Sequence, residues 1–176
     1  MKRLYLDTAS LSSLIERKTE PETEAVRQLL ELGKQGKLQV LHSDVVDSWL
    51  WGARAQGRKM ALQPELDAAQ AEDVRSSLPI TKFSSAALQK LSGAEKGELY
   101  KALTQAYAMY FYQRSELGLI IHTMTAIQNR ADVLATPEAA KWQRFVTANL
   151  ERISQRESGV RLHLLLPSKA AAFVLE

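Results

Sequence analysis

Arg3-Leu4-Tyr5-Leu6-Asp7-Thr8 is a hydrophobic run that stops on a carboxylate followed by a hydroxyl residue. Leu4 to Leu6 reads as a first strand, and Ala9 to Arg17 as a short helix with Leu11, Leu14 and Ile15 on one face. An acid at such a strand-to-helix junction stands at the carboxyl edge of a sheet, where open α/β proteins build their sites. Aspartate is also a favoured N-cap, so helix capping alone accounts for Asp7 unless other acids converge on it.

Outward from this junction, strand-like and helix-like spacings alternate. Thr19-Glu20-Pro21-Glu22 has the form of a capping box, opening a helix that carries Val26, Leu29, Leu30 and Leu32 and ends between Gly33 and Gly36. Leu38-Gln39-Val40-Leu41 reads as a second strand, and Ser43 as the N-cap of a helix through Trp49 and Trp51 towards Gly57. Arg58 to Arg75 reads as a polar surface helix. Leu78-Pro79-Ile80 reads as a short edge strand, because proline removes a ladder donor. Ser92-Gly93-Ala94-Glu95 is a second capping box, opening a long helix with Leu99, Leu103, Ala106 and Tyr110 on one face. A further helix holds Ile120 to Ile127, Val133-Leu134-Ala135 is a strand, Thr136-Pro137 caps the next helix, and Val160 to Leu166 is the last strand. Strands separated by helices predict an α/β fold, a three-layer α/β/α sandwich around a mainly parallel sheet of about four or five strands.

Composition bounds the rest. The chain has 176 residues, 45% of them hydrophobic, with no repeat or linker, which suits a single domain over 1–176 with a full core. The absence of cysteine excludes disulfides, thiolate nucleophiles and cysteine-ligated zinc, and fits a cytoplasmic protein. Asp7 interrupts the apolar start too early for a signal peptide, and no later stretch approaches the ~20 apolar residues of a membrane span, so no membrane partner is expected. A net charge of +3 permits a polyanionic partner, but 23 basic residues are set against 20 acidic ones, so charge alone does not identify it.

The segment Leu119-Ile120-Ile121-His122-Thr123-Met124-Thr125-Ala126, followed by Ala131-Asp132-Val133-Leu134-Ala135-Thr136, resembles the distal half of a PIN domain, the nuclease fold of many prokaryotic toxin ribonucleases. The strand ending at Asp7 is similar to the family's first strand and acid, and Leu164-Leu165-Leu166-Pro167 to its final strand and proline. The likeness is weakest from Arg58 to Leu117.

The resemblance implies a metal-dependent ribonuclease of toxin–antitoxin type, hydrolysing RNA phosphodiester bonds. Converging carboxylates would hold Mg²⁺ or Mn²⁺, hard cations that prefer oxygen ligands and lower the pKa of a water nucleophile. It implies Asp7 as the first acid. For the second it offers Asp44 or Asp47, one helical turn apart, with Asp47 preferred; Asp44 also suits the positive end of a helix dipole. The third position falls on Leu119, which has no carboxylate, and Glu116 one turn earlier is the substitute. Glu138 matches the fourth acid, and Thr136-Pro137-Glu138 is equally good helix-start chemistry.

Other residues invite plainer readings. His42, His122 and His163 lack zinc-ligand spacing, and His122 on an apolar helix reads as a hydrogen-bonded core or near-site residue. Ser10, Ser12 and Ser13 have no G-x-S-x-G turn around them, and there is no glycine-rich phosphate loop. Arg54, Arg58 and Lys59 form the best basic cluster for phosphate contacts, or else a solvated helix end. Tyr100, Tyr107, Tyr110, Phe111 and Tyr112 are too broadly spread for one core stripe and suit an oligomer interface such as a homodimer. Three functional expectations follow: a PIN-type ribonuclease with an incomplete acidic site and an antitoxin-like protein partner; a catalytically lapsed PIN-like nucleic-acid-binding domain; or a protein-interaction module using the aromatic surface.

Overall fold

The computed structural model describes residues 1–16, 20–43, 56–75, 115–142 and 145–176. Five strands, β1 (Lys2–Leu6), β2 (Leu38–Ser43), β3 (Glu72–Val74), β4 (Val133–Ala135) and β5 (His163–Leu165), form one sheet in the order β3-β2-β1-β4-β5. Every neighbouring pair is parallel. The described helices are α1 (Thr8–Ile15), α2 (Pro21–Lys34), α3 (Gln56–Ala68), α4 (Ser115–Gln128), α5 (Phe145–Ser158) and α6 (Pro167–Leu175), with a 3-10 segment at Pro137–Trp142.

The strands are apolar on both faces because both are covered, as a parallel sheet requires. Leu4, Leu6, Val40, Val133 and Ala135 join one buried cluster with Leu11 and Leu14 of α1, Val26 and Leu29 of α2, Leu62 and Leu66 of α3, and Ala170 of α6. The alternate residues Tyr5, Leu41, Leu134 and Leu164 join a second cluster with Met124 and Ile127 of α4 and Leu150 and Ile153 of α5. The two-residue period of each strand therefore divides the core in two, and the α/β/α sandwich follows. Each fully buried Leu or Ile contributes about 1.5–3 kcal/mol relative to exposure.

Three helices end in the same way and deliver the chain to the next strand. After α2 the Lys37 amide bonds to the Leu32 carbonyl at 3.0 Å and the Gly36 amide to the Gly33 carbonyl at 2.8 Å, a Schellman closure with Gly36 at φ 67°. After α3 and α4 the corresponding bonds are Ala71 to Leu66 and Ala131 to Ala126, both 2.9 Å, with Gln70 at φ 50° and Arg130 at φ 52° in the left-handed position. Gly33 has a separate reason. A Cβ there would meet Val40 Cγ2 at 2.8 Å and the Ala69 carbonyl oxygen at 3.0 Å, so its absence lets α2 lie close to β2 and the end of α3.

The structure corrects several local expectations. Residues 72–74 form the edge strand β3 instead of continuing a helix to Arg75. Glu72 and Asp73 are exposed and only Val74 is buried, so acidic residues that protect a sheet edge disguised the strand. The Glu22 half of the expected capping box has another partner: α2 begins after Glu20, which makes no side-chain cap, and the Glu22 carboxylate accepts the Ser168 amide at 2.9 Å and hydroxyl at 2.7 Å, capping α6 from a distance. The segment after Thr136 is a 3-10 turn followed by α5, and the last strand spans only His163–Leu165. The readings at Thr19, at 44–55, at Leu78 to Ile80 and at 92–112 lie outside the described residues. No helix among the described residues is long and apolar enough to cross a membrane.

Candidate functional site

Sheet order fixes where a site can form. From β1 the chain enters α1 on one face, whereas from β4 it enters the 3-10 segment and α5 on the other, so the winding reverses between these adjacent strands. Such a reversal opens a crevice beyond the strands' carboxyl ends. Asp7 directly follows β1 and Thr136 directly follows β4, placing both at this crevice.

Asp7 is buried, with 4% of its surface exposed. Its Oδ1 accepts the Ser10 amide at 2.8 Å, so Asp7 is the N-cap of α1. The Thr136 side chain also bonds to Asp7, while Thr136 Oγ1 accepts the Glu138 amide at 3.2 Å. Ser10 completes the stitching by donating its hydroxyl to the Ala135 carbonyl at 2.9 Å. Burial is the main cause that pushes the Asp7 carboxyl up to about 6; hydrogen bonds from Thr136 and Ser10 oppose this, and the negative charge of Glu138 adds to it. Asp7 is thus both a cap and a destabilised carboxylate. A cap needs only the first property.

Beside this acid runs a buried polar chain. The Tyr5 hydroxyl lies 2.6 Å from Ser43 Oγ and 2.9 Å from His122 Nδ1, and His122 Nε2 lies 3.0 Å from Thr8 Oγ1. Tyr5 is fully buried and His122 nearly so, and burial pushes the imidazole down to about 3, leaving it neutral. The chain links the ends of β1 and β2 to the middle of α4. His122 is therefore the buried, hydrogen-bonded residue, core or near-site, expected from its apolar helix. The roles of Tyr5, Thr8, Ser43 and Thr136 at the crevice were not anticipated, although the sequence carries a signal for them: three apolar strand runs each end on hydroxyl or carboxyl residues.

The remaining candidates divide between placed and undescribed. Glu138 is half-buried in the first turn of the 3-10 segment, beside Thr136. Leu119 is 7% exposed and belongs to the apolar cluster around Tyr5 and Leu134. Glu116 lies on the first turn of α4, roughly 9 Å along the axis from His122. Arg58 and Lys59 lie on the first turn of α3, whose last turn leads into β3 and whose first turn is therefore at the carboxyl edge. Side-chain positions of Glu116, Arg58 and Lys59, and the whole of Asp44, Asp47 and Arg54, lie outside what is described. So do Trp49, Trp51 and the aromatic group from Tyr100 to Tyr112. His163 sits on β5 with Nδ1 3.1 Å from Glu151 Oε1, away from the crevice. A surface cleft on α5 is lined by Arg152, Arg156 and Arg161, but Arg156 is engaged by Glu157 at 2.7 Å and Arg152 by Asn149 at 3.2 Å.

Carboxylate oxygens are the donor type that a hard cation takes. Asp7 and Glu138 offer carboxylate oxygens, and a positive ion would offset both the burial of Asp7 and its repulsion from Glu138. Among the described residues no group of three or more acids or histidines converges. No family model matches the chain, and no curated protein matches it in sequence.

Proposed function

We propose that the chain is a PIN-like, metal-dependent ribonuclease whose site is the crevice between β1 and β4, with Asp7 and Glu138 as the described ligands. The observation that carries this reading is the placement of two acids just beyond adjacent parallel strands at the winding reversal, where Leu6 of β1 and Ala135 of β4 pair in register. Asp47 and Glu116 are the candidates to complete the set. A bound Mg²⁺ or Mn²⁺ would supply an acidified water and neutralise charge on the scissile phosphate.

The chain's own residues have separate tasks. The Ser10 amide holds Oδ1 of Asp7 and thereby orients the carboxyl group. Thr136 joins Asp7 to the start of the Glu138 turn. Arg54, Arg58 and Lys59 are proposed to contact the RNA backbone at the same edge, a sequence-independent contribution that weakens with salt. An antitoxin-like protein partner and a homodimer built on the aromatic group remain parts of this proposal.

Leu119 favours a second reading. The position that resembles the third acid is filled by a leucine packed in the core, which suits a lapsed domain that binds nucleic acid without cutting it. Incubation of the purified chain with labelled RNA and Mn²⁺ separates the two. Cleavage lost in Asp7→Ala supports the nuclease; retained cleavage in that variant refutes the assignment of Asp7. Salt-dependent binding without cleavage supports the lapsed domain.

A further inference from the structure

Thr8 immediately follows the crevice acid, and one fixed donor sets the polarity of its hydrogen bonds. A backbone amide can only donate, and the Thr8 amide lies 3.5 Å from His122 Nε2. As the first residue of α1, Thr8 has an amide with no acceptor inside the helix. Nε2 is therefore the unprotonated nitrogen, and Nδ1 carries the single proton of a neutral ring. The Thr8 hydroxyl, 3.0 Å from the same Nε2, donates its only proton to that lone pair, which the more distant amide shares. On the far side Nδ1 donates to the Tyr5 hydroxyl at 2.9 Å, whose oxygen lies 2.6 Å from Ser43 Oγ.

We propose that His122 is a positioning residue of the crevice: by holding the Thr8 proton it leaves the half-buried Thr8 oxygen as a hydrogen-bond acceptor only, matched to an O–H donor in the substrate complex. This rests on the nuclease reading above. An acceptor-only oxygen next to Asp7 repels phosphate oxygens and selects a hydroxyl. The donor is either the attacking water or the ribose 2′-hydroxyl, which present the same O–H group.

Two measurements test this. Long-range ¹H–¹⁵N spectra of labelled protein report the His122 tautomer directly; a protonated Nδ1 with a bare Nε2 is expected, and the reverse tautomer overturns the proposal whether or not the protein cuts RNA. Hydrolysis of RNA and of DNA of the same sequence, with Mn²⁺, is then compared for wild type, Thr8→Val, His122→Phe and His122→Gln, each first shown to be folded by its amide spectrum. Thr8→Val and His122→Phe should lower kcat about tenfold or more with KM changed less than about threefold. His122→Gln, whose amide oxygen can accept from Thr8, should restore most of the rate. Loss on both substrates assigns the water as donor, and loss on RNA alone assigns the 2′-hydroxyl. An unchanged kcat in Thr8→Val, or no rescue by glutamine, overturns the positioning role while leaving the nuclease intact. If the wild type hydrolyses neither substrate, the nuclease reading fails and the substrate role of Thr8 fails with it.

Discussion

Asp7 and Glu138 stand beyond the ends of adjacent parallel strands, near enough for the negative charge of Glu138 to raise the pKa of Asp7. One hydroxyl, that of Thr136, connects them: it bonds to Asp7 and accepts the Glu138 amide at 3.2 Å. Burial is the main cost to the Asp7 carboxylate, and the charge of Glu138 adds to it. This arrangement lies at the winding reversal between β1 and β4, the candidate site.

The first prediction concerns the cost of that carboxylate. The Asp7 pKa rises from 3.8 to about 6 on folding, so the folded state holds the proton more tightly. The stability tied to this proton is fully present below about pH 4 and is lost as pH rises through 6, a difference on the order of 3 kcal/mol. Asp7→Asn keeps an oxygen to accept the Ser10 amide and removes the charge. Urea denaturation should therefore show Asp7→Asn more stable than wild type by about 1–3 kcal/mol at pH 8, with the gap shrinking towards zero at pH 4. A variant equally stable or less stable at pH 8 would show that Asp7 is only a cap.

The left-handed residues after α3 and α4 give a second prediction. Gln70 and Arg130 occupy positions of positive φ that glycine adopts without steric cost. Gln70→Gly and Arg130→Gly should each raise stability by about 0.5–1 kcal/mol in thermal or urea melts, despite the greater freedom of glycine in the unfolded chain. A loss of stability in both would contradict the cap geometry.

The close approach at Gly33 gives a third. Gly33→Ala forces a methyl group within 2.8 Å of Val40 Cγ2 and 3.0 Å of the Ala69 carbonyl oxygen, and should destabilise by about 1–3 kcal/mol. Adding Val40→Ala removes one of the two clashes. A double-mutant cycle should accordingly show favourable coupling between the two substitutions, and strict additivity would mean that α2 shifts away from β2 instead.

A fourth prediction tests the distant cap. Glu22 accepts both the amide and the hydroxyl of Ser168 at the start of α6. Glu22→Ala should cost about 0.5–2 kcal/mol and increase amide exchange selectively in α6. Uniform exchange across the molecule would argue against a local role.

Much of this organisation was legible in the chain. The apolar runs at Leu4 to Leu6, Leu38 to Leu41 and Val133 to Ala135 announce themselves because a parallel strand buried on both faces has little room for polar residues. Residues 72–74 do not, because an edge strand protected by Glu72 and Asp73 resembles the end of a polar helix. The capping box at Glu22 misled for another reason: local pattern cannot reveal that α6 lies near enough to take the carboxylate. At the candidate site, Asp7 stands out by its position after a strand, and Glu138 only through the resemblance of the segment around Thr136. The Ser43, Tyr5, His122 and Thr8 chain does not stand out, since its members meet only through the register of β1 with β2 and the packing of α4. Leu119 illustrates the limit of resemblance: alignment places it at an acid, while its surroundings are those of a core residue.

The most direct test of the proposed site is Mn²⁺-dependent cleavage of labelled RNA by wild type, Asp7→Asn and Glu138→Gln, with and without chelator. The expected result is wild-type cleavage that chelation abolishes and that falls about 100-fold or more in each variant, since either change removes a metal ligand. Cleavage retained by Asp7→Asn or Glu138→Gln, or no metal-dependent cleavage by the wild type, would contradict it.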